Sequence, residues 1–258
     1  MLDAIVITGG TGGIGRALSD SLSAHYGKTA KILVTSRGDS GDLKLDLGNS
    51  TSICKFILSV KKRDLNVIGL INNGFGTIMF ERASPDCFLH AYYSNVVFLT
   101  EALLDMNPSM FVINLTSVQR WFAHHPFPEF ILAGDYAKAK HRIAQYSKML
   151  AARGVAAISL DPGGVATQLN RNRGSPPSKL AACLLKTIVE VDQWKLGKVL
   201  CVFPQPKFIY RWLVLVSAVF LSPVTILNSR LSTVIGGIIT GSFVLPQFFL
   251  YRPCWLEE

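Results

Sequence analysis

The stretch "AIVITGGTGGIGRALSDSLSAHY" fills residues 4–26. It begins as a continuous apolar run, bends through glycines, and goes on as a segment with apolar residues at three and four spacing. That order reads as a buried strand, a tight turn and a helix. Gly9, Gly13 and Gly15 have the three-then-one spacing of a dinucleotide turn, with Thr11 and Ile14 inside it. One glycine permits the bend, one lets the backbone approach a pyrophosphate, and one lets helix and strand pack closely. The N–H groups opening the helix then face the phosphates.

Further along, the same alternation repeats. Apolar runs at Ala4–Thr8, Lys31–Thr35, Val67–Asn72, Met110–Leu115, Val155–Asp161 and Val199–Phe203 read as strands. Most lack strict alternation, as expected of strands covered on both faces of a parallel sheet. Between them, Ile14–Tyr26, Ser50–Lys62, Pro85–Met106, Tyr136–Arg153 and Lys179–Asp192 read as helices. Ile53, Phe56, Ile57 and Val60 show the helical spacing well. Repeated β-α-β units predict a doubly wound α/β domain with right-handed crossovers. "LNRNRGSPPSK" (169–179) is a loop by composition.

The chain has 258 residues, and its 26 Lys and Arg against 17 Asp and Glu give a formal charge of +9. This balance suits an anionic partner such as a phosphorylated cofactor or acidic lipid. Basic runs with interleaved aromatics are missing, which argues against nucleic acid. Cys54, Cys87, Cys183, Cys201 and Cys254 have neither metal-type nor redox-type spacing. They read as reduced thiols of a cytosol-facing domain, and no metal site is expected. "MLDAIVITGG" lacks the basic start and cleavage site of a signal peptide.

The character changes after Pro204. Phe208–Leu227 and Leu231–Leu250 are apolar stretches of about 20 residues, a length that crosses a bilayer core as helix. Lys207, Tyr210, Arg211 and Trp212 flank the entry, and Tyr251, Arg252 and Trp255 the exit. Such flanks suit a hairpin with both ends at the cytosolic interface. Gly237 and Gly241 offer a close contact between its arms. Arg230 at the tip suits a shallow hairpin better than full spanning. The alternative is a helical cap or an oligomer face. The domain reading is therefore a nucleotide-binding α/β domain over 1–206 and a membrane-associating segment over 207–258.

At the end of the second strand, Ser36 and Arg37 stand where an acid would bind a ribose hydroxyl. Arginine can instead pair with a 2′-phosphate, which favours NADP(H) over NAD(H), although Asp39 lies close by.

Seven segments in order resemble the short-chain dehydrogenase/reductase family, over roughly residues 4–203. "TGGTGGIG" (8–15) is similar to its cofactor turn, and "LDL" (45–47), with Asp46, to its adenine-side segment. "INNGFG" (71–76), with Asn72, Asn73 and Gly74, resembles its Asn-Asn-x-Gly segment. Asn95 falls where the family has a helix asparagine. "INLTSV" (113–118) resembles the strand that ends in a catalytic serine, here Ser117. "YAKAK" supplies Tyr136 and Lys140 of a Tyr-x-x-x-Lys pair. "DPGGVAT" (161–167) resembles the cofactor segment after the sixth strand, with Pro162, Gly163, Val165 and Thr167.

The resemblance implies a Rossmann-type doubly wound parallel sheet, to which the apolar residues add a C-terminal helical hairpin. It also implies hydride transfer between a nicotinamide and a carbonyl carbon. Residues four apart share a helix face, so Lys140 can stand beside Tyr136. Its charge, with that of an oxidised nicotinamide, is expected to lower the phenol pKa and ready Tyr136 for acid/base work. Ser117 would hold the substrate oxygen, and Asn95 a water that relays protons through Lys140. "VQRWFAHHPFPEFILAGD" (118–135) is longer than the family's usual connection and reads as an apolar lid. Phe75 replaces a small residue near the cofactor channel, while His124 and His125 lack a partner motif. Trp121, Phe122, Phe127 and Phe130, with the C-terminal stretches, point to a lipid-, sterol- or retinoid-like substrate. A homodimer is compatible with the family. The competing reading is a cofactor-binding membrane scaffold or sensor with little turnover.

Overall fold

The computed structural model describes residues 1–74, 89–117, 120, 123, 134–167, 172, 174–190 and 199–201. The membrane-segment reading (207–258), Phe75, the lid aromatics and both loop histidines lie outside the described residues. Among the described residues, no helix is long and apolar enough to cross a membrane, and no cluster of metal ligands occurs.

Seven parallel strands form one sheet in the order β3-β2-β1-β4-β5-β6-β7. They are β1 (Leu2–Ile7), β2 (Lys31–Ser36), β3 (Leu43–Lys44), β4 (Leu65–Asn72), β5 (Phe111–Leu115), β6 (Ala157–Asp161) and β7 (Val199–Cys201). All six expected strands are present, displaced by one or two residues at most ends. β3 was not expected: two residues show no periodicity, and it exists because Thr35 and Ser36 offer it a free strand edge.

The helices are α1 (Gly13–Tyr26), α2 (Ser50–Lys62), α3 (Asn95–Leu104), α4 (Gly134–Ala152) and α5 (Pro177–Val189). α3 is preceded by a π-helical turn, His90–Ser94, so the stretch read as one helix over Pro85–Met106 is interrupted. A side-chain cap starts α2, where Asn49 accepts from the Ser52 N–H. α5 starts with Pro177, whose fixed φ suits a first helical position.

Both faces of the sheet are covered. On one, Ile53, Phe56 and Val60 of α2 join Leu99 and Leu103 of α3 and Leu150 of α4 against Val6, Leu70 and Val112. On the other, Leu18 and Leu22 of α1 meet Leu180, Leu184 and Ile188 of α5 over Ile7, Ile113 and Ile158. Each such side chain, fully buried, is worth about 1.5–3 kcal/mol relative to exposure. Burial on both faces explains the near-continuous apolar strands.

A polar chain runs through this core. Asn72 Nδ2 donates to Thr100 Oγ1 (3.1 Å) and Asn114 Oδ1 (2.8 Å). Asn114 Nδ2 donates to Ser147 Oγ (2.8 Å), which also accepts from Ser159 Oγ (2.8 Å). It pins β4, β5, β6, α3 and α4 to one register, because any slip would strand a buried amide.

The strand order reverses between β1 and β4. That switch point opens a crevice beyond the carboxyl ends of the two strands, where such sheets bind ligands. The segments following β1, β4, β5 and β6 all end there.

Candidate active site

The glycine turn forms the floor of the crevice. Gly9 and Gly13 have φ of +62° and +53°, the left-handed region that favours glycine. A Cβ on Gly9 would stand 2.7 Å from Gly74 Cα, and one on Gly15 2.4 Å from the Gly9 carbonyl. Three backbones therefore meet with no room for a side chain. Asn73 locks them: its Nδ2 donates to the carbonyls of Thr8 (2.9 Å) and Gly9 (3.0 Å). Gly74 N donates to Thr8 Oγ1 (2.8 Å).

The start of α1 fits a phosphate. Gly12 precedes it with no capping side chain, and its first turn has no acidic residue. The space around a Gly12 Cβ is open to 4 Å. Uncapped first-turn N–H groups at a positive dipole end are what an anion needs. The Thr167 methyl lies 3.1 Å from the position of a Gly13 Cβ, so the segment after β6 borders the turn.

On the adenine side, Ser36 is buried at the end of β2, its Oγ donating to the Gly38 carbonyl (2.7 Å). Arg37 follows and is exposed. Asp46 is half-buried, and its Oδ1 accepts from Gly48 N (2.9 Å). Asn95 is buried and donates through Nδ2 to the Leu47 carbonyl (2.7 Å), tying α3 to the "LDL" segment. Asn72, expected at the cofactor, lies in the polar chain of the core with protein partners on its amide nitrogen.

β5 and α4 bring the catalytic candidates together. Thr116 Oγ1 donates to the Lys140 carbonyl (3.0 Å), fastening helix to strand end. Tyr136 and Ser117 share a side-chain hydrogen bond. Lys140 Nζ lies 5.7 Å from the centre of the Tyr136 ring and donates to the Leu115 carbonyl (2.7 Å). Ser117, Tyr136 and Lys140 thus form one cluster, as the sequence implies. Asn95 instead meets the "LDL" segment at Leu47.

Without a nicotinamide, the chain's own surroundings act on Tyr136 and Lys140 chiefly through burial. The phenol pKa of Tyr136 is pushed up to about 12, first by burial. The Ser117 hydrogen bond opposes that rise, and the Asp161 carboxylate adds to it. Burial lowers Lys140 to about 8, against a raising influence from Asp161. Burial is the first influence on both groups, and it disfavours the charged form of each.

This arrangement makes stability depend on pH. The unfolded chain keeps the Lys140 proton up to its ordinary value of 10.5, whereas the folded chain releases it near 8. Below 8 the fold carries the cost of a buried ammonium, and stability rises as pH climbs from 8 toward 10.5. Lys140→Met is expected to be more stable than the parent at pH 7 by about 1–3 kcal/mol, with the gap closing above about pH 8. Urea unfolding of both proteins from pH 7 to 9.5 reads it; a constant gap would refute it.

Sequence reasoning missed two members of the site. Arg120 and Asp161, 41 positions apart, form a buried ion pair (2.7 Å) behind Ser117. Nothing local signals it, because neither residue belongs to a periodic pattern with the other.

No family model matches the chain, and no curated protein matches it. Solved structures share its fold. The 3-alpha-hydroxysteroid dehydrogenase from Pseudomonas sp. B-0831, complexed with NADH, is 21% identical; the match covers 77% of this chain and 94% of that one, with a TM-score of 0.62. A short chain dehydrogenase family protein from Francisella tularensis is 19% identical over 78% of this chain and 97% of that one, at 0.62. A variant of actinorhodin polyketide ketoreductase with NADPH is 17% identical over 78% and 95%, at 0.61. At these identities the likeness is one of fold: a Rossmann-type parallel sheet with helices on both faces.

Proposed function

We propose that this chain is a short-chain dehydrogenase/reductase that uses NADP(H) to interconvert a carbonyl and an alcohol on an apolar substrate. The observation that carries the proposal is the cluster at the crevice: Tyr136 bonded to Ser117, with Lys140 beside it. The uncapped glycine turn supports it by fitting a pyrophosphate.

When bound, a nicotinamide supplies or accepts the hydride. The chain does the rest. Gly9, Thr11, Gly13, Ile14 and Gly15 would seat the pyrophosphate at the α1 N-terminus, and Asp46 and Gly74 the adenosine side. Pro162, Gly163, Val165 and Thr167 would border the nicotinamide. Ser117 would hold the substrate oxygen, and Tyr136 would give it a proton. The direction proposed is reduction, since NADPH usually serves as the reducing pool. Lys140, poised near 8, would return the proton.

Arg37 is the proposed 2′-phosphate partner. The test is consumption of NADPH and of NADH with a panel of apolar ketones: steroidal, retinoid and long-chain. Turnover with NADPH is expected, and Arg37→Glu should weaken NADPH by about 10–100-fold while leaving NADH nearly unchanged. Equal loss with both cofactors would remove the assignment of Arg37.

We further read residues 207–258 as a hairpin that attaches the catalytic domain to the cytosolic side of a membrane, next to an apolar substrate. The two long apolar stretches and their aromatic and basic flanks support this. Alkaline extraction should leave the chain in the membrane pellet; release into the wash would sink the hairpin and favour a peripheral association.

A further inference from the structure

Arg120 and Asp161 are each over nine-tenths buried, at 6% and 1% exposed. Burying two charges carries a desolvation cost of several kcal/mol per ion that apolar residues would avoid, so the pair is poor stabilisation for its own sake. Its contacts suggest another use. Arg120 Nη1 donates both to Asp161 Oδ2 (2.7 Å) and to the Ser117 carbonyl (3.1 Å). That carbonyl also accepts from Arg120 N (3.0 Å). The other oxygen of Asp161, Oδ1, accepts from Gly163 N (3.1 Å), where the backbone takes φ +65°. One guanidinium therefore joins the end of β5, which carries Ser117, to the turn after β6.

We propose that Arg120 is a positioning residue of this site: its guanidinium fixes Ser117 against the end of β6 and neutralises Asp161 behind Tyr136 and Lys140. The inference rests on the functional reading above. Asp161 acts on both working groups, as its influence on Tyr136 and Lys140 shows. An unneutralised carboxylate there would hold the Lys140 proton more tightly. A Ser117 loop freed from its tether would lose its alignment with the Tyr136 hydroxyl.

The test compares Arg120→Met, Arg120→Lys and the double variant Arg120→Met/Asp161→Asn. The double variant removes both charges and so preserves folding if the single variant does not. Arg120→Met and the double variant should each lose about 30-fold or more in kcat, with the KM for NADPH within about threefold, because alignment and not cofactor binding is lost. Arg120→Lys should recover part of kcat, since an ammonium still reaches one acceptor. Parental kcat in the double variant would overturn the proposal, because the pair would then matter only for folding.

A second readout needs no turnover. The pH at which stability rises through Lys140 deprotonation, measured against a Lys140→Met control, should move up by about half a unit or more in Arg120→Met. An unmoved midpoint would overturn the neutralising role even if no ketone proves to be a substrate. Failure of the catalytic reading and failure of this inference thus give different results.

Discussion

Replacing Tyr136 with phenylalanine should lower kcat for ketone reduction by about 10²–10⁴-fold while leaving NADPH affinity within a factor of about two. The substitution removes one oxygen and keeps the ring, so packing beneath Lys140 survives. The lost oxygen is the proposed proton donor and the partner of Ser117. Without it the substrate alkoxide must find a proton from water. Stability should change little, since a half-buried phenol loses one hydrogen bond and part of a desolvation cost together. The pH profile adds a second check. With the phenol held near 12, parental reduction should not fall off between pH 7 and 9 through loss of the Tyr136 proton. A Tyr136→Phe protein that reduces ketones at the parental rate would eliminate the proposed chemistry.

The second large effect is at Gly9. Gly9→Val should reduce cofactor affinity by more than about 100-fold and destabilise the fold by about 2–4 kcal/mol. Two causes act together. A β-branched residue cannot hold φ of +62°, and its Cβ would press on Gly74 Cα at 2.7 Å. The turn cannot yield, because Asn73 grips the carbonyls of Thr8 and Gly9. Gly12→Ala is the control. Gly12 has φ of −149°, ordinary extended backbone, and nothing stands within 4 Å of its Cβ position. That variant should fold normally, within about 0.5 kcal/mol of the parent. Nucleotide titration and thermal unfolding of the two variants separate them. Similar losses at both positions would show that glycine matters here for some reason other than the backbone encounter described.

Much of the candidate cluster was legible because its spacing is local. Tyr136 and Lys140 lie one helical turn apart, and any helix at 134–152 sets them on one side. The glycine turn was legible for the same reason, since strand, bend and helix follow one another without interruption. Ser117 was placed only by the family resemblance of "INLTSV" (113–118). Asn72 and Asn95 were harder. Each sits within the expected segment, yet its side chain meets groups that only folding brings near: Thr100 and Asn114 for one, the Leu47 carbonyl for the other. The direction of the Tyr136 shift was not legible at all. Spacing gives the neighbouring charge, whereas desolvation of the phenol depends on groups distant in sequence.

By itself the sequence determined the alternation of strands and helices, the parallel sheet covered on both faces, the phosphate-ready bend and the tyrosine-lysine pair. All of these depend on contacts within a few residues or on periodic burial, and a linear pattern carries both. Tertiary structure alone decided the two-residue β3, the polar chain from Asn72 to Ser159, the pairing of Arg120 with Asp161 and the protonation of the site. Those depend on partners tens of residues apart and on exclusion of solvent, and neither distance nor dielectric is written along the chain.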